Sequence, residues 1–158
     1  MQNSSPSIKT ISLAFFSLIA LIILADYALP GSSKTSEVQE VQKHRQNYYN
    51  AAQGYHYSYR VITPEQSISV AENFAKLIHD EPQIEYSVSP IFGQVNWYSL
   101  PSDSQHYTYS LRIVSGLAFP LAFLALVFFS YRLGKKWSFP LLVARILMIA
   151  NLWLVIGS

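Results

Sequence analysis

The chain of 158 residues contains no cysteine and only six glycines. The first absence excludes disulfides, thiolate metal sites, palmitoylation and a lipoprotein anchor together. The second leaves no glycine loop to cradle a phosphate, and no Gly-x-Ser-x-Gly nucleophile elbow is present. Four histidines, His44, His56, His79 and His106, are too scattered for the close spacing that marks a zinc site. His56 and His106 fall on predicted strands and would meet only if those strands are neighbours. Internal repeats and low-complexity runs are also lacking. These absences leave a non-enzymatic chain with no cofactor or metal as the expectation.

Apolar length is what the sequence does have. Three runs, 11–28, 113–131 and 139–156, each approach the roughly 20 residues an α-helix needs to cross the hydrocarbon core of a bilayer. The expected fold class is therefore a membrane protein with three transmembrane helices, in contact with lipid. Its divisions are an N-terminal tail and first span (1–29), a domain (30–109), a second span (110–133), a basic turn (134–137) and a third span (138–158). A removable signal peptide is the competing reading of the first run. Against cleavage stand a leader whose only basic residue is Lys9, and Asp26, which interrupts the small-residue pattern before Ala28.

Charge sets the expected orientation, because short loops rich in Lys and Arg stay cytoplasmic. Arg132, Lys135 and Lys136 crowd the turn between the second and third runs. Threading outward from that turn puts the N-terminus in the cytoplasm, and residues 30–109 and the C-terminus outside it, in a bacterial inner membrane. The net charge of +2 conceals a division. Residues 30–109 carry five Lys/Arg against eight Asp/Glu, a formal −3, so nothing calls for nucleic acid.

Within 30–109 the pattern predicts a small α+β domain in the order helix, strand, helix, strand, strand, strand, with a mainly antiparallel sheet. Val38, Val41, Tyr48 and Ala52 recur near helical spacing, with Gly54 as a stop. Residues 55–62 alternate as a strand with Tyr55, Tyr57, Tyr59 and Val61 on one face. Thr63-Pro64-Glu65-Gln66 reads as a capping box that opens a helix running to about His79. Strands over 83–89 and 95–100 flank a turn near Pro90 and Gly93, and a last strand over 106–111 leads into the second span. The ends of the domain, tethered without long linkers, are expected to hold it close to the membrane.

Aromatic density is the domain's most distinctive feature. Tyr55, Tyr57, Tyr59, Trp97, Tyr107 and Tyr109 are the candidate partner-binding residues, since tyrosine and tryptophan supply large amphipathic contact area. The plainer alternative is that they serve sheet packing and the lipid boundary. In the second span Ser115, Ala118, Ala122 and Ala125 line small side chains along one helical face, expected to pack the chain's own three helices together, with a seam to another chain as the alternative, and Pro120 predicts a kink. Arg145 and Asn151 stand out in the third span. Arg145 is expected to snorkel towards the basic turn or to pair with another subunit, and Asn151 to make an interhelical hydrogen bond. Interaction features thus outnumber chemical ones. The functional expectation is an accessory or assembly subunit of a larger membrane complex, with other membrane subunits or further copies as partners. The alternative is an extracytoplasmic ligand sensor coupled to the spans.

Overall fold

Three helices are long and apolar enough to cross a membrane: Ile8–Ala28, Ser110–Arg132 and Phe139–Gly157. They occur in a computed structural model that describes residues 7–47, 55–78, 81–133 and 138–157. The chain divides into two compact units, one of Met1–Leu29 with Leu111–Ser158 and the other of Pro30–Ser110.

In the helical unit, α1 (Ile8–Ala28) is capped by Ser7, whose side chain accepts from the Lys9 N–H. The second span is composite. It runs as α3 (Ser110–Ile113), a π-helical turn over Val114–Ala118, and α4 (Phe119–Leu133); α5 (Ser138–Gly157) follows. The helices bury narrow stripes against one another, Leu13, Ala20 and Ile23 on α1 and Met148 and Val155 on α5. Phe15, Leu18, Leu21, Phe128, Phe129, Ile146 and Trp153 point outward, a distribution that suits an apolar solvent.

The Pro30–Ser110 unit has two three-stranded antiparallel sheets, ordered β1-β5-β6 and β2-β3-β4. Here β1 is Ser32–Glu37, β2 Glu40–Asn47, β3 Tyr55–Ile62, β4 Ser67–Val70, β5 Gln83–Val88 and β6 Val95–Ser99, with a short α2 (Glu72–Leu77) after β4. The sheets share one core. Val61, Ile68 and Val70 from one meet Ile84, Tyr86 and Tyr98 from the other across Phe74, Ala75 and Ile78. The β5–β6 turn closes through Ser89 and Gln94, with Gly93 supplying the positive φ of 69°.

Four local readings of the sequence are corrected. The helix predicted from Val38 and Val41 does not form: Val38 lies between β1 and β2, and Val41 belongs to strand β2, opposite the wholly buried Val61. Its remaining markers, Tyr48, Ala52 and Gly54, lie outside the described residues. Thr63–Gln66 is not a helix cap but the turn joining β3 to β4. The Thr63 hydroxyl donates to the Gln66 carbonyl, and the Gln66 N–H returns to the Thr63 Oγ1. Ser67-Ile68-Ser69-Val70 then alternates exposed with buried, so burial of Ile68 and Val70 overrides a helical continuation until Glu72.

The expected strand over 106–111 reduces to a single bridge, Tyr98 to Tyr107, since helix begins at Ser110. Finally, β1 was not expected at all. Its sequence Ser-Ser-Lys-Thr-Ser-Glu has no apolar alternation, and pairing with β5 alone makes it a strand. The order is thus four strands, a helix and two strands in two sheets, in place of helix, strand, helix and three strands in one.

Candidate functional site

The polar centre of the helical unit starts from a count. Among residues 1–29 and 111–158, Asp26 is the sole acid against six Lys/Arg. It sits two residues before the end of α1, is fully buried, and accepts from the Arg112 Nη2 at 2.8 Å. Arg112, two residues into α3, is only 5% exposed. The Tyr27 ring lies 5.4 Å from the Arg112 guanidinium carbon, within cation–π range. Gly116 makes this approach possible. A Cβ there would stand 2.7 Å from the Tyr27 ring and 3.3 Å from the Arg112 Nη1.

Charges are expensive in apolar surroundings unless paired, and here the carboxylate is bonded directly to the guanidinium. Near the C-terminal end of α1 the helix dipole disfavours an anion, so the Arg112 contact offsets that cost as well.

Two residues beyond Arg112 the backbone opens into the π turn, and Pro120 gives the reason. A proline has no N–H, so a regular α-helix would orphan the Gly116 carbonyl four residues earlier. Instead the Phe119 N–H donates to the Val114 carbonyl, one residue further back than an α-helix requires. That shift moves the orphan to Ser115, whose next donor in the π pattern would be Pro120 itself. The Asn151 Nδ2 fills the gap, donating to the Ser115 carbonyl at 3.0 Å. The two polar residues read from the sequence, Ser115 and Asn151, are therefore brought together. Asp26, Tyr27, Arg112 and Gly116 were not among the predicted site residues.

The remaining predicted positions divide by exposure. Ala118, Ala122 and Ala125 are exposed on the helical unit, while Arg145 is half-buried. Arg145 Nε is buried with no hydrogen-bond partner among the described residues. In the other unit Tyr57 is exposed, with the Lys43 ammonium 3.8 Å from its ring centre. Tyr59, Tyr107 and Tyr109 are half-buried against the core, and Tyr107 stacks on Tyr98 at 6.2 Å. Trp97 is half-buried with the His106 ring 4.0 Å away. The Tyr55 side chain is outside the described set.

Two tyrosines not chosen as site residues, Tyr86 and Tyr98, are the most deeply buried among the described residues. Their hydroxyls are satisfied, Tyr86 donating to Glu65 at 3.1 Å and Tyr98 accepting from the Ala71 N–H at 3.0 Å. Burial pushes both phenols above their ordinary range. Hydrogen bonds from Lys34 and Tyr86 hold the Glu65 carboxyl below its own. A cleft of about 490 Å³ opens between Val38, Gln39, Glu40 and Val41 on one side and Ile78, Glu81 and Pro82 on the other. No three His, Asp or Glu side chains gather in metal-binding fashion among the described residues. No protein-family model, curated protein or solved structure matches this chain.

Proposed function

We propose that the chain is a non-enzymatic accessory or assembly subunit of a larger membrane complex in a bacterial inner membrane. The observation that carries this reading is the outward direction of Ala118, Ala122 and Ala125, which leaves a face of small side chains open to an approaching helix. In lipid, helices associate where small residues let backbones come close, since no hydrophobic drive separates one apolar face from another. The exposed Tyr57 with Lys43 above its ring adds a second contact point on the Pro30–Ser110 unit. The basic residues Arg132, Lys135 and Lys136 support a cytoplasmic α4–α5 turn, which would put residues 30–109 and the C-terminus outside the cytoplasm.

Purification of the full chain in mild detergent, followed by native mass spectrometry, tests the reading. A second membrane protein or a second copy of the chain is expected in the complex. Ala122→Phe should abolish that association while leaving the melting temperature unchanged, because Ala122 is exposed on its own unit. A lone monomer for both proteins would refute it. The cleft lined by Val38, Val41 and Ile78, with Glu40 and Glu81 beside them, favours the alternative of a ligand sensor. That reading requires a compound that raises the melting temperature and loses its effect in Ile78→Trp.

A further inference from the structure

We propose that Arg145 binds the phosphate of an anionic membrane lipid at the end of the helical unit where α4 and α5 are joined. Three observations converge on this. The first is stoichiometric: the sole carboxylate among residues 1–29 and 111–158, Asp26, is already engaged by Arg112. The second is local. Arg145 is half-buried on an otherwise apolar helix, and its Nε is shut off from solvent with no hydrogen-bond partner among the described residues. A guanidinium cannot shed its charge to ease burial, so an anion from outside the chain is what the site lacks.

The third observation is depth. Arg145 lies seven residues into α5 from Ser138, which is roughly 10 Å of axial rise against a hydrocarbon core of about 30 Å. From there a side chain with a three-methylene stem reaches the phosphate layer at the near end of the helix, and not the opposite face. The two Nη groups, unlike the enclosed Nε, are the donors that can meet a phosphodiester in two-point fashion. Arg132, exposed near the end of α4, adds positive charge, and the sequence that joins α4 to α5 carries Lys135 and Lys136. One partner carboxylate would answer only one of these four cations. A layer of anionic headgroups answers all of them, which favours lipid.

The test uses the full chain in mild detergent, with adducts and melting followed by native mass spectrometry and thermal denaturation. The probes are dioleoyl phosphatidylglycerol, dioleoyl phosphatidylcholine and inorganic phosphate. Phosphatidylglycerol should be retained and raise the melting temperature, phosphatidylcholine less so, and inorganic phosphate not at all. Arg145→Gln should weaken phosphatidylglycerol retention roughly tenfold, the scale of one charge-assisted contact. Arg145→Lys, which keeps charge without the fork, should recover part of it and guards against a variant that fails to fold. Equal retention by wild type and Arg145→Gln overturns the proposal. So does indifference between the two lipids, saturation by inorganic phosphate, or loss of a co-purifying protein with lipid retention unchanged.

Discussion

A single amide, Asn151 Nδ2, completes a backbone that Pro120 would otherwise leave open. The Ser115 carbonyl has lost its α-helical donor to the π turn and its π donor to a proline, so its hydrogen bond to Asn151 is the one that closes the opened turn. Asn151→Leu keeps the branched shape and the number of side-chain heavy atoms and removes that donor. It should destabilise the helical unit by about 1–2 kcal/mol, read as a shift in denaturant-induced unfolding in detergent. Wild-type stability in the leucine variant would mean that the carbonyl has found another donor and that the π turn does not depend on α5. The sequence discloses half of this contact. Asn151 stands out in an apolar run, but its acceptor depends on a backbone shift that Pro120 only hints at.

At the scale of elements, the Asp26–Arg112 pair fastens the end of α1 to the start of α3, the two points where the chain leaves and re-enters the helical unit. Breaking it from one side strands a buried charge. Arg112→Leu or Asp26→Leu alone should cost about 3–5 kcal/mol, whereas the double variant should recover most of that loss because a well-packed apolar pair is often neutral. A thermodynamic cycle from thermal unfolding in detergent measures the coupling. Additive single losses would show that the two side chains act independently. Legibility at this scale follows how many alternatives a local pattern permits. About twenty apolar residues in a row admit little besides a span, and all three were legible. Val38 and Val41 are three apart, a spacing that points to a helix, so β2 is not legible locally and depends on pairing with β3, where Val41 meets Val61. Thr63 and Gln66 offer the same hydrogen-bonding groups to a cap and to a turn, and β1 acquires its identity wholly from β5. Asp26 could be singled out by counting acids, but which of six cations it takes is decided by packing.

For the whole molecule, two different solvents shape the two units. The helical unit turns phenylalanine, leucine and tryptophan outward and keeps its one carboxylate inside, whereas the Pro30–Ser110 unit hides Tyr86, Tyr98 and Phe74 beneath polar strands. The proposed function requires the three apolar helices to cross a bilayer with residues 134–137 in the cytoplasm and residues 30–109 outside it. A chain without cysteine provides a clean background for locating each part. The decisive measurement is labelling of single-cysteine variants in intact spheroplasts with a membrane-impermeant maleimide. The exposed Ser104 in the sheet-bearing unit, changed to cysteine, should label without permeabilisation, and Lys135→Cys in the basic turn should label only after it. The reverse pattern, or labelling of both positions in intact spheroplasts, would contradict the account.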